Sequence, residues 1–207
     1  MTTLIKICGI TTPEGIDAAV AAGADWVGFN FFPASPRYVT PQQAAILAGR
    51  AGVPLKVGLF VNPTDAEIAA TLAAVPLDVL QIYADAARVA EIRARFARPV
   101  WHAVGVVSAS DLPRDAAGAD GFIIEAKPPP GATRPGGNAV TFDWSILAGW
   151  HAPAPWLLAG GLTPDNVAAA IRATAAPAVD VSSGVERQTG SKDPALVAAF
   201  ARAVRAA

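Results

Sequence analysis

Leu158-Ala159-Gly160-Gly161-Leu162-Thr163-Pro164 and, further on, Val179-Asp180-Val181-Ser182-Ser183-Gly184-Val185-Glu186 each set small residues directly after an apolar, strand-like run. The two segments read as halves of one phosphate grip. Gly160 and Gly161 lack the Cβ that would hold an anion away from backbone N–H groups, and Thr163-Pro164-Asp165 reads as the start of a helix whose positive end faces the same place. Ser182, Ser183 and Gly184 add hydroxyl and amide donors from the neighbouring unit. A phosphate site in the loops after the last two strands recurs in (β/α)8 barrels, so the fold turns on whether the rest of the chain counts to eight.

Working outward, short apolar runs alternate with Ala-rich stretches of helical period. Strands are expected over 4–8, 26–31, 55–60, 79–82, 100–104, 122–125, 156–159 and 179–181, and helices over 13–22, 41–50, 65–74, 86–97, 110–117, 144–147, 165–173 and 194–206. Thr12-Pro13, Thr40-Pro41, Asn62-Pro63-Thr64, Thr163-Pro164 and Asp193-Pro194 put a capping residue before or beside a proline tolerated in a first helical turn. The fifth and sixth helices carry the weakest pattern. Strands alternating with helices argue a parallel sheet, and the count favours an α/β fold of one (β/α)8 TIM barrel domain over 1–207, with no linker or low-complexity break. At 207 residues it would be compact, since such barrels typically run to about 250.

Composition narrows the partners. A net charge of -1, with 16 Lys and Arg forming no run, gives no electrostatic case for nucleic acid. No uninterrupted apolar stretch approaches the roughly 20 residues of a membrane span, and the N-terminus lacks the apolar core of a signal peptide. The expected setting is the cytoplasm, where the single cysteine stays reduced. Nothing in the Ala-rich helices chooses between a monomer and a homodimer.

In such barrels the chemistry sits at the C-terminal ends of the strands. Collected there are Cys8 after the first run, Ser35-Pro36-Arg37-Tyr38 after the second, Gln81 and Tyr83 in the fourth, Glu125 in the sixth and Asp180 in the eighth. A thiol, a guanidinium, carboxylates and a phosphate grip at one mouth suit a phosphorylated small-molecule substrate with a second anionic group and a reaction made of proton transfers. His102 and His151 are isolated and have no second ligand at usable spacing, so they read as structural and no metal site is expected.

Over nearly its whole length the chain resembles the phosphoribosylanthranilate isomerase family of tryptophan biosynthesis. The resemblance rests on Lys6-Ile7-Cys8-Gly9-Ile10, Gly28-Phe29-Asn30-Phe31-Phe32, Ser35-Pro36-Arg37-Tyr38-Val39, Gly58-Leu59-Phe60-Val61-Asn62, Ala126-Lys127-Pro128-Pro129, Pro135-Gly136-Gly137-Asn138, Phe142-Asp143-Trp144, the Gly160-Gly161 segment and Asp180 to Glu186, followed by Gly190-Ser191-Lys192-Asp193. Each is weak alone; in this order they are specific. The resemblance implies an Amadori rearrangement of N-(5-phosphoribosyl)anthranilate to the 1-deoxyribulose 5-phosphate adduct, without metal or organic cofactor.

It also implies roles. Cys8 would be the general base, although a lone cysteine ending an apolar strand also reads as a small buried hydrophobe. Glu125 stands where the family usually has aspartate and would be the acid; the other reading is a solvated strand-end carboxylate, with Asp180 or a water delivering the proton. Arg37 would hold the anthranilate carboxylate with its planar fork, and otherwise reads as a solvated surface charge. Gln81 would touch the substrate's edge, and Asp180 a ribose hydroxyl or the anilinic nitrogen, unless it braces the phosphate loop. Tyr83-Ala84 stands where the family commonly has His-Gly, which implies a changed hydrogen-bond arrangement unless Tyr83 merely packs. The Pro- and Gly-rich segment 126–140 reads as a lid or wall, with Arg134 and Asn138 as further ligands to consider. Two other classes stay open: a different phosphosugar barrel enzyme such as indole-glycerol-phosphate synthase, and a non-catalytic module that binds phosphoribosyl compounds.

Overall fold

The alternation of strand and helix closes on itself. In a computed structural model, which describes residues 2–50, 52–129, 131, 136 and 140–207, eight parallel strands run in sequence order around a closed barrel. They are β1 (Leu4–Cys8), β2 (Trp26–Asn30), β3 (Leu55–Val61), β4 (Val79–Tyr83), β5 (Val100–Val106), β6 (Gly121–Ala126), β7 (Trp156–Leu158) and β8 (Ala178–Val181). The seam is the β1–β8 pair, in which Lys6 lies opposite Asp180.

Strand side chains alternate between faces, and this period of two sorts the barrel. Ile5, Ile7, Val27, Phe29, Leu80 and Ile82 point outward into the apolar layer shared with the helices. Val57, Val79, Trp101, Ile123, Leu157 and Ala178 pack together in the interior, against Trp26. The Trp26 and Trp101 rings meet edge to face at 5.3 Å. Gly121 makes room for them: a Cβ there would lie 2.9 Å from the Trp101 ring. By the same parity Lys6, Cys8, Gln81, Tyr83, Glu125 and Asp180 occupy inward positions, nearer the C-terminal ends.

The outer layer holds α1 (Pro13–Ala21), α2 (Pro41–Ala48), α3 (Asp65–Ala74), α4 (Ala86–Arg95), α5 (Val167–Thr174) and α6 (Pro194–Arg205). Thr12, Thr40, Thr64, Asp85 and Asp193 accept first-turn N–H bonds as N-caps, with reciprocal bonds from Gln43 and Glu67 completing the boxes at Thr40 and Thr64. Helix α6 buries Val197, Phe200, Ala201 and Val204.

Three helical expectations need correction. The stretch 110–117 is not an α-helix; it holds a single 3-10 turn, Ala109–Asp111. Asp111 folds back to accept the N–H groups of Val107 and Ser108, and Ala117 and Gly118 then take positive φ, which an α-helix cannot absorb. The segment Trp144–Leu147 is also 3-10. The helix expected from 165 starts at Val167, because the Asn166 side chain bonds back to Thr163 and Gly161. Unanticipated is an antiparallel ribbon of β9 (Glu186–Gln188) and β10 (Ser191–Lys192), between β8 and α6. In the 126–140 segment, Arg134 and Asn138 lie outside the described residues. Among the described residues no helix is long and apolar enough to cross a membrane.

Ile82 is fully buried between sheet and helices, whereas Ile46 on α2 is 73% exposed. Ile82→Ala should therefore cost about 2–5 kcal/mol of stability and Ile46→Ala less than about 0.5 kcal/mol, read from urea unfolding midpoints.

Candidate active site

A pocket opens at the C-terminal ends of the strands, lined by Cys8, Asn30, Arg37, Gln81, Tyr83, Glu125, Gly160, Gly161, Asp180, Ser182 and Ser183 among others. Among the described residues, the structure thus brings together every singled-out site residue except Gly184. Gly184 lies behind the wall against the Leu162 carbonyl, where a Cβ would overlap that oxygen. Its lack of a side chain lets the loop after β8 reach the loop after β7.

Cys8 ends β1 and is buried; Gly28 beside it on β2 has no Cβ, which would lie 2.8 Å from the thiol. Below Cys8 on the same face is Lys6, fully buried, its Nζ 2.9 Å from Asp180 Oδ2. Burial works against the Lys6 charge, but Asp180 and Cys8 outweigh it and leave the ammonium above its usual value. Burial pushes the Cys8 thiol up; Lys6 pulls it down and Asp180 pushes it up again, and the net position stays above the ordinary value.

Across the pocket, β6 presents Glu125, 5% exposed, and β4 presents Gln81 and Tyr83. Burial raises the Glu125 carboxyl from 4.5 to about 7, with the Tyr83 hydroxyl opposing, Asp180 adding and Lys6 opposing. Tyr83 is itself held well above the usual phenol range by burial and by Glu125. Its hydroxyl accepts from Gln81 Nε2 at 3.4 Å, so Tyr83 takes part in the polar wall and does not merely pack. Gly136 covers this pair: a Cβ on it would lie 2.5 Å from the Tyr83 hydroxyl and 2.7 Å from Glu125 Oε1. Among the described residues, Gln81 Oε1, Glu125 Oε1 and Asp180 Oδ1 are buried with no hydrogen-bond partner. Three such acceptors around one pocket mark a place for a polar ligand, because unmatched burial costs each of them about 1–3 kcal/mol.

Arg37 is no solvated surface charge; it is 5% exposed, with Nε 2.8 Å from Glu186 Oε1 and Nη2 2.7 Å from Glu186 Oε2. Among the described residues no hydrogen bond uses its Nη1. Gly160 and Gly161 both take positive φ, +88° and +62°, which suits glycine. His102 bonds with the Ala84 carbonyl through Nε2, and His151 is exposed; neither lines the pocket. Lys6, Glu186 and Lys192 were not anticipated as parts of the site. For Lys6 a signal existed, since a lysine at an inward strand position must find a buried counter-charge. Glu186 and Lys192 stand inside the family-like segments 180–186 and 190–193, but their short polar ribbon carries no pattern that points to a pair.

An acid, a thiol and two facing small-residue loops at the C-terminal mouth of a (β/α)8 barrel define the class: a barrel whose site is laid out for acid–base chemistry. Residues 5–203 match the family described as N-(5'phosphoribosyl)anthranilate (PRA) isomerase. The N-(5'-phosphoribosyl)anthranilate isomerase of Acidiphilium cryptum is 59% identical over 202 residues, covering 98% of each chain. Phosphoribosyl anthranilate isomerase from Thermotoga maritima has a TM-score of 0.86 at 33% identity, over 99% of this chain and 100% of its own. A phosphoribosyl anthranilate isomerase in complex with reduced 1-(o-carboxyphenylamino)-1-deoxyribulose 5-phosphate has a TM-score of 0.83 at 32% identity, over 99% of this chain and 100% of its own. The chain belongs to the N-(5'-phosphoribosyl)anthranilate isomerase family.

Glu125 holds its proton up to about pH 7 when folded, against 4.5 ordinarily. Between those values the folded state binds the extra proton, so stability falls as pH rises, by about 3 kcal/mol in all. Glu125→Gln should remove that loss: relative to the parent, the variant gains about 3 kcal/mol between pH 4 and pH 8 in urea unfolding. An offset that is the same at both pH values would assign the titration to another group.

Proposed function

We propose that this chain converts N-(5-phosphoribosyl)anthranilate to 1-(2-carboxyphenylamino)-1-deoxyribulose 5-phosphate by an Amadori rearrangement, with Glu125 as general acid and Cys8 as general base. The observation that carries this reading is the thiol on β1 and the protonatable carboxyl on β6 lining one pocket, among orphaned acceptors. Glu125 gives its proton to the ring oxygen as the C1′–O bond breaks and the anilinic nitrogen lone pair forms the Schiff base. The Cys8 thiolate then takes the C2′ proton, leaving an enolamine that tautomerises, with protonation at C1′, to the ketone. Each step is a proton transfer within reach of a thiol and a carboxyl.

The remaining groups bind. Backbone N–H groups around Gly160 and Gly161 and the hydroxyls of Ser182 and Ser183 hold the phosphate, and Gly184 lets their loops meet. Arg37 turns its Nη1 edge to the anthranilate carboxylate, while Gln81 Oε1 and Asp180 Oδ1 accept from substrate O–H and N–H groups. Residues 1–207 act as one barrel domain. A cytoplasmic setting fits a chain whose base is a lone thiol that must stay reduced.

The working form needs Glu125 protonated and Cys8 ionised. With Glu125 near 7 and Cys8 above its usual value, the protons of the majority form sit the other way round. The acid limb of the kcat/KM profile should then report Glu125: the rate rises with pH up to about 7, stays level, and falls once Cys8 has ionised. The loss of substrate fluorescence with pH checks this in the parent and in Glu125→Asp, whose acid limb should move; a limb unmoved assigns it elsewhere. Cys8→Ala and Glu125→Ala should each lower kcat by about 100- to 10,000-fold. Turnover that survives either change removes that residue from its role.

A further inference from the structure

The ribbon after β8 carries a buried charge chain that the proposed chemistry does not use. Glu186 receives Arg37 in a bidentate pair from one side, and Lys192 Nζ at 2.5 Å from the other. Lys192 Nζ also donates to the Ser182 carbonyl at 3.1 Å and lies 3.3 Å from Ser182 Oγ. The Gly190 N–H closes onto Glu186 Oε2 at 3.2 Å. The side chains of Arg37, Glu186 and Lys192 are 6%, 3% and 1% exposed, so the chain is shielded from solvent. Burial would raise the Glu186 carboxyl, but Arg37 and Lys192 outweigh it and keep it ionised.

This chain joins two parts of the pocket wall that the fold brings from opposite ends of the sequence. Arg37 stands in the loop after β2 and Ser182 in the loop after β8, yet neither Glu186 nor Lys192 lines the pocket itself. An arginine has five N–H donors in a rigid plane, and fixing two of them fixes the direction of the rest. Gly9 closes the other side, since a Cβ there would lie 2.5 Å from Arg37 Cδ.

We infer that Glu186 and Lys192 are positioning residues for the isomerisation proposed above: Glu186 aims the outer edge of Arg37 at the substrate carboxylate, and Lys192 ties that aim to Ser182 in the phosphate-binding loop. The pair thereby sets the span between the two anionic ends that a substrate must match. Two cations share one carboxylate, which leaves one positive charge in excess beside a polyanionic ligand.

The test compares two ligands by titration calorimetry: the reduced product analogue, and its anilino counterpart lacking the ring carboxylate. The parent should prefer the carboxylated ligand. Glu186→Gln should lose about tenfold or more of that preference while its affinity for the anilino ligand changes by less than about threefold. Glu186→Asp keeps the charge against Lys192 but draws the carboxylate back from Arg37, so it should also lose preference; it serves where the glutamine variant fails to fold. Lys192→Met should weaken both ligands by the same factor. A Glu186→Gln protein that retains the parent's preference, or that weakens both ligands equally, overturns the inference and leaves Arg37 in place. A parent without preference, or one whose preference survives in Arg37→Ala, overturns the Arg37 assignment and this inference with it.

Discussion

The ion pair between Lys6 and Asp180 lies across the seam where the barrel closes. The two residues are register partners in the β1–β8 pair and their side chains meet at 2.9 Å inside the barrel. Neither charge is tolerable there alone, since an unmatched buried ion costs several kcal/mol. The last strand can therefore join the first in this register only by completing the pair, and completing it places the site. Cys8 stands one inward position above Lys6, and among the described residues the second oxygen of Asp180 has no partner at the pocket floor. Closure of the fold and assembly of the site are the same event.

Above and below that level the barrel interior changes character. The lower layers are apolar, filled by Trp26, Trp101 and aliphatic side chains, and hold the strands rigid. The upper inward positions hold Gln81, Tyr83, Glu125 and Asp180, which are fixed by strand geometry, and not by loops. Loops then add what strands cannot: Arg37 from the β2 side and closely approaching backbone at Gly160, Gly161 and Gly184. Titratable groups on strands, with a guanidinium and close backbone on loops, is a division that suits the proposed chemistry, since strands hold side chains more precisely than loops do.

Much of this architecture is legible in the amino-acid sequence. Short apolar runs mark all eight barrel strands, because a parallel sheet covered on both faces calls for near-continuous apolar residues. Their position at the C-terminal ends of those runs also brings Cys8, Gln81, Glu125 and Asp180 to one mouth. The connection after β5 failed because Asp111 and Gly118 act through turn chemistry that Ala-rich composition masks. In the sequence Arg37 faces substrate or solvent alone, since its partner Glu186 lies far along the chain and no local pattern announces such a pair. The same distance hid the seam: Lys6 and Asp180 are 174 residues apart, and only the closed sheet makes them neighbours.

The contact between Gly28 and the Cys8 thiol gives these two positions a shared history. A methyl group at 28 would occupy space that the sulfur already fills, with the Cys8 backbone close behind. Any lineage that acquired a side chain at 28 would have to turn or lose the thiol, and one that had lost the thiol would be free to fill the space. Descent at these neighbouring strand positions is thus coupled, and an alanine at 28 in a relative would mark a barrel whose sulfur had been turned aside or given up.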